Sequence, residues 1–96
     1  MRVEYHPSVE QEVVEALRRY QVVSDVLGEQ FSAELRAIIA RAAAHPQRFH
    51  LVKPGLHRAN LRRFPYHFIY EEIPEGIRVI LVRHNRRHPD FGMERN

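Results

Sequence analysis

The chain has no cysteine and no tryptophan, a single lysine, and only four glycines in 96 residues. Without cysteine there can be neither a disulfide framework nor a thiolate zinc site. No stretch approaches the roughly 18 consecutive apolar residues that a membrane span requires, so direct membrane insertion is excluded. The opening residues, MRVEYHPSVE, lack the apolar run of a signal peptide, and the expected location is the cytoplasm. There is no phosphate-binding glycine loop, no dinucleotide fingerprint and no helix-turn-helix pattern. Ordinary metabolic catalysis therefore has little to rest on, and neither does DNA binding by this chain alone. His6, His45, His50 and His57 never form an i, i+4 pair on a helix, so no metal site is expected and these rings should titrate on the surface. A chain of this length makes one domain, residues 1–96, with little room for a cofactor cavity.

What is abundant is arginine, which outnumbers lysine fourteen to one. Its planar fork suits bidentate contact with phosphate or carboxylate, although a GC-rich genome would enrich it without functional cause. The charge is also unevenly spread. Residues 1–45 carry five Arg against seven Asp/Glu, whereas residues 46–96 carry ten Lys/Arg against five Asp/Glu, together with five of the seven histidines. The basic C-terminal half points to an anionic partner.

Residues 2–5 alternate polar and apolar as a short strand would, and Pro7 stops them. Ser8 is placed to cap a helix, with Gln11 completing a capping box. The apolar positions Val9, Val13, Ala16, Leu17, Tyr20 and Leu27 fall at helical spacing up to Gly28, which reads as the helix end, and leave Glu10, Glu12, Glu15, Arg18 and Arg19 facing water. Residues 29–44 repeat the period through Phe31, Leu35, Ile38, Ile39, Ala42 and Ala43 and end at His45-Pro46, giving an αα-hairpin. The period then changes. Segments 49–53 and 58–64 show short alternating or mixed patterns around Pro54-Gly55, and 66–72 and 77–84 are clear strands joined by a turn at 73–76. Tyr66, Phe68 and Tyr70 share one face and are expected in the core, as are Tyr5 and Tyr20. The polar tail after His84 should leave the sheet and run over its surface. One strand, two helices and then three strands (β-α-α-β-β-β) make an α+β fold in which the helical hairpin covers one face of a small antiparallel sheet.

Several segments, taken in order, carry a resemblance: the strand and helical hairpin ending in His45-Pro46, Arg58 entering the middle strand, Phe64-Pro65-Tyr66-His67-Phe68-Ile69-Tyr70, and the final run Val82-Arg83-His84-Asn85-Arg86-Arg87-His88-Pro89. The chain resembles the RelE/ParE superfamily of toxins from type II toxin-antitoxin systems, also known as plasmid stabilisation toxins. The resemblance implies growth inhibition, a cognate antitoxin that wraps and blocks the domain, no cofactor, and operator DNA reached only through the antitoxin. It leaves two targets open, DNA gyrase for a ParE-like toxin and ribosome-bound mRNA for a RelE-like endoribonuclease. A third reading is a non-toxic relative kept as a binding module.

The RelE-like reaction needs no metal. A base takes the 2′-hydroxyl proton, an acid protonates the leaving oxygen, and cations stabilise the phosphorane. Arg58 and His84 are the candidate catalytic residues if the chain is a nuclease. Arg58, Arg62, Arg63, Arg83, Arg86 and Arg87 are the candidate phosphate- or target-binding cluster, expected on one exposed face. The plain alternative is a solvated basic strand end that meets the antitoxin's acidic groups. The RelE branch commonly has a C-terminal tyrosine and strand lysines, whereas this tail offers Phe91 and His88 and the chain has only Lys53. That departure inclines the reading toward the ParE-like mode.

Overall fold

The computed structural model describes every residue from Met1 to Asn96. The elements are β1 (Arg2–Tyr5), α1 (Val9–Gln21), α2 (Asp25–Ala44), a 3-10 turn at Pro46–Arg48, β2 (His50–Lys53), β3 (Leu56–Asn60), β4 (Tyr66–Ile73) and β5 (Gly76–His84). They form one five-stranded sheet in the order β1-β5-β4-β3-β2. The α+β architecture agrees with the sequence reading, and two details differ. Four strands follow the helices, because Pro54-Gly55 folds β2 back on β3, with Gly55 in the left-handed region at φ 79°. The sheet is also mixed, since β1 lies parallel to β5 while the other three pairings are antiparallel. Arg2 faces Gly76 across that parallel pair, and a β-carbon at Gly76 would collide with the Arg2 carbonyl oxygen.

The helix boundary is set by Ser24 and not by Gly28. α1 stops at Gln21, ahead of the β-branched pair Val22-Val23. Ser24 is fully extended (φ −164°, ψ 151°), and its Oγ accepts the Leu27 N–H at 3.0 Å, satisfying one of the free amides at the start of α2. Gly28 lies inside α2 where the end of α1 presses on it: a β-carbon there would come 2.6 Å from Gln21 Cγ. The expected capping box at Ser8 does not form. Ser8 is already helical and caps with no side-chain bond, and its N–H is taken by His6 Nδ1 at 3.1 Å. Ser24→Ala should therefore cost about 1 kcal/mol, and Ser8→Ala less than about 0.5 kcal/mol. Urea denaturation of the two variants checks this, and equal losses would refute the assignment of the cap.

α2 turns Phe31, Leu35, Ile38, Ile39, Ala42 and Ala43 onto the sheet, where they meet Phe68, Tyr70, Ile77, Val79 and Val82. Tyr20 joins this core as expected, its ring 5.2 Å from Phe31 and 4.8 Å from Phe64 between centroids. Tyr5 does not: it ends the edge strand β1 and is 51% exposed. His57 also departs from its expected surface position. It faces Tyr70 across the β3–β4 pair, is buried, and stacks on that ring at 5.0 Å. The sheet's other face carries a smaller apolar cluster of Ile69, Ile80 and Leu81, against which Leu56 and Met93 pack. Met93 belongs to the C-terminal segment, which turns back over this face. No helix is long and apolar enough to cross a membrane.

Candidate functional site

Strand alternation at the end of β5 divides the cations that were expected together. Successive side chains on a strand point to opposite faces. Arg83 faces His67, and Arg58 faces Ile69, which faces Leu81, so Arg58, His67 and Arg83 lie on the face away from the helices. His84 faces Tyr66 and points to the helical side. Arg62 and Arg63 belong to neither group. Residues 61–65 form the β3–β4 loop and not a strand, and the Arg62 and Arg63 amides donate to Glu34 of α2 at 2.7 and 3.2 Å. The single cationic face is thus replaced by three separate settings.

On the face away from the helices, Arg83 is a buried anchor and not a free cation. Its Nη1 donates to the Pro89 and Phe91 carbonyl oxygens at 3.0 and 2.7 Å, and its Nε to His67 Nε2 at 2.8 Å. Arginine is always a donor, so His67 Nε2 accepts, and the Nδ1–H donates to Asn85 Oδ1 at 2.8 Å. His67 is held neutral. Burial first, then the Arg58, Arg83 and His84 charges, lower its pKa to about 4 against the opposing Asn85 hydrogen bond. Burial and the Arg58 charge also lower the pKa of Arg83. Arg58 remains half-buried, its Nε donating to Asn60 Oδ1 at 2.8 Å.

The helical side holds a cavity of about 220 Å³ where α1 passes the end of β5, with Arg19, Glu15, Tyr66, His84, Arg87 and Phe91 among its walls. The His84 ring meets Tyr66 edge-on at 5.1 Å, and the Arg87 guanidinium lies 3.9 Å above the Phe91 ring. His84 Nδ1 accepts the Arg86 N–H at 3.0 Å, which leaves the ring proton on Nε2. Burial, followed by the Arg19 and Arg86 charges, lowers the His84 pKa. Arg19 and Glu12 stand against the end of β5 and not on the solvated helical face that periodicity suggests, because local periodicity does not say which end of a sheet a helix will cross. Glu12 Oε1 accepts the Val82 N–H at 3.0 Å, and its Oε2 pairs with Arg95 at 2.7 Å. Arg95 in turn donates to the Ile80 carbonyl at 3.0 Å. This pair closes the stretch of β5 edge that short β1 does not reach.

A general base needs a ring nitrogen with a free lone pair. At His67 and His84 the accepting nitrogen is already occupied, so these two rings offer hydrogen-bond donation, beside the guanidiniums of Arg19 and Arg87 and the Glu15 carboxylate. A family model for the ParE toxin of type II toxin-antitoxin systems, parDE, matches residues 3–89. The chain belongs to that family. No curated protein matches it at a significant level. The span shared with the ParE toxins includes every candidate cation from Arg58 to Arg87 and the Pro89 carbonyl that Arg83 holds, whereas Arg95 lies beyond it. This ParE-family chain therefore closes its β5 edge with a contact outside the matched region.

Proposed function

We propose that this type II toxin arrests growth by binding DNA gyrase and does not cut RNA. The observation that carries the reading is the occupied lone pair of each imidazole at the basic strand end: His84 accepts from the Arg86 amide and His67 from Arg83. A nuclease that used either imidazole as its base would need that nitrogen free to take the 2′-hydroxyl proton. Arg83, the most buried of the candidate phosphate ligands, already spends its donors on the tail carbonyls. The missing C-terminal tyrosine and the single lysine fit the same mode. In this reading the exposed Arg86 and Arg87 and the half-buried Arg58 meet the target by charge and hydrogen bonding, and the antitoxin neutralises the toxin by covering them.

Purified toxin is expected to inhibit supercoiling by gyrase or to trap its cleavage complex with plasmid, and to leave ribosome-bound mRNA intact. His84→Ala should weaken gyrase inhibition by about tenfold at most, the worth of one hydrogen bond between neutral groups. Loss of a catalytic base would instead remove about 10²–10⁴-fold of a cleavage rate. Unimpaired gyrase alongside mRNA cleavage that Arg58→Ala or His84→Ala abolishes would overturn the proposal in favour of the RelE-like reaction. Normal growth of a bacterial host expressing the chain alone would overturn it in favour of a non-toxic module.

A further inference from the structure

We infer that the cavity between α1 and the end of β5 receives a single carboxylate side chain from a protein partner. One of its two carboxylates is already paired, whereas neither of its exposed arginines has a carboxylate partner, Arg87 resting only on the Phe91 ring. Glu12 is held by Arg95 and the Val82 amide, and Glu15 accepts from Gln11 Nε2 at 2.9 Å. The chain's ion pairs are Arg2–Glu4, Arg78–Glu71, His88–Asp90 and Arg95–Glu12, so Arg19, Arg86 and Arg87 have no carboxylate of their own. His84 adds a donor at the same place, since its neutral ring carries the proton on Nε2. Two guanidiniums and an N–H converging on one cavity are a receptor for one oxyanion.

Size and surroundings decide between a protein carboxylate and a nucleic-acid phosphate. A volume of about 220 Å³ admits one acidic group and its stem, and Ala16, Tyr66, Val82 and Phe91 give that stem an apolar wall. A nucleic acid presents phosphates in a continuous run, and proteins that bind it neutralise several at once. A run of phosphates passing the cavity along α1 would meet Glu10 and Glu15, which have no ion pair, in the half of the chain where acids outnumber arginines. An Asp or Glu on a partner segment brings one charge and meets less of that repulsion. The inference rests on membership of a toxin-antitoxin family for the partner, which is the antitoxin, and does not depend on gyrase being the target.

The test uses the toxin alone, with N-acetylglutamate α-amide as a lone side-chain carboxylate, dimethyl phosphate as a lone phosphodiester, and a short DNA duplex. Binding is followed by NMR at the Arg19 and Arg87 Nε–H and His84 Nε2–H signals. The glutamate compound is expected to shift all three saturably. An Arg19→Gln/Arg87→Gln double variant should bind it at least about tenfold more weakly. Both side chains are exposed, so the variant's amide spectrum and melting temperature should match wild type. Binding unchanged in the double variant would overturn the inference, as would absence of any saturable shift. Tighter binding of dimethyl phosphate or of the duplex at the same signals would replace the carboxylate with a nucleic-acid phosphate. None of these results depends on toxicity, so failure here stays distinct from failure of the gyrase proposal.

Discussion

Replacing Arg83 with alanine is expected to destabilise the protein by about 3 kcal/mol, whereas Arg86→Ala, three residues along the chain, should change stability by less than about 0.5 kcal/mol. Arg83 is 7% exposed and makes three hydrogen bonds, to His67 Nε2 and to the Pro89 and Phe91 carbonyls. Truncation leaves those acceptors with no donor in a place that water reaches poorly, and an unsatisfied buried group costs about 1–3 kcal/mol. In a domain of this size the loss should appear as a fall in melting temperature of roughly 10–20 °C. The effect should also be local. Pro89 and Phe91 anchor the segment that brings Gly92 and Met93 onto Leu81 and the second apolar cluster, so limited proteolysis should cut the tail of the variant first. Arg83→Lys should recover little, because a point charge on a flexible stem cannot reach three acceptors set around a planar fork. Equal melting temperatures for the Arg83 and Arg86 variants would mean that Arg83 is available to a target after all.

The contrast between these two arginines shows what a sequence can and cannot disclose here. The run Arg83-His84-Asn85-Arg86-Arg87 reads as one basic patch, yet its members do different work. Arg83 holds the tail, Asn85 accepts from the buried His67, and the Arg86 amide fixes the His84 ring. Alternation says that Arg83 and His84 point to opposite faces. It does not say that a later turn will bring two carbonyls over one of them, which is a contact between segments whose separation is set by tertiary packing. The strands themselves were legible because Tyr66, Phe68 and Tyr70 repeat at period two. The helical hairpin was legible because its apolar positions repeat at helical spacing. Its internal boundary falls elsewhere than the sequence suggests because a glycine such as Gly28 reads as a stop, whereas the stronger signal is Ser24, whose side chain can satisfy an amide that opens a new helix. The parallel docking of β1 beside β5 could not be read at all. A strand's neighbour depends on where two helices and a four-strand meander return the chain, and no local pattern encodes that.

The edge of β5 belongs to the same class of features. Past Val79, where the His6 N–H makes the last bond to β1, the strand would present the Ile80 carbonyl and the Val82 amide to solvent. Glu12 from α1 and Arg95 from the tail satisfy one each and pair with one another, so two residues more than eighty positions apart act as a missing stretch of strand. The result is a basic sheet end whose edge is closed to strand addition at Ile80 and Val82. In the proposed docking, contact with this end falls instead to the side chains around the cavity, Arg19, Arg87 and His84.

Acid should weaken the fold through His67, and the direction follows from which protonation state the native structure accepts. His67 is 1% exposed and its pKa is lowered from 6.5 to about 4, chiefly by burial. The folded protein therefore binds this proton less readily than the unfolded chain does. Its contribution is fully present above pH 6.5, erodes as pH falls from 6.5 toward 4, and changes no further below that, with a ceiling of about 3 kcal/mol. Protonation also removes the acceptor that Arg83 Nε uses and places two positive groups in contact, so the same event loosens the tail anchor. His67→Gln is the informative variant, because an amide oxygen can still accept from Arg83 and does not titrate. Melting temperatures measured between pH 7 and pH 4 should fall more steeply for wild type than for His67→Gln, with the carboxylates contributing equally to both. In the Arg83→Ala background the effect of adding His67→Gln should shrink, as expected for residues that share one network. Parallel pH profiles for wild type and the His67→Gln variant would show that this imidazole is not held neutral by the fold.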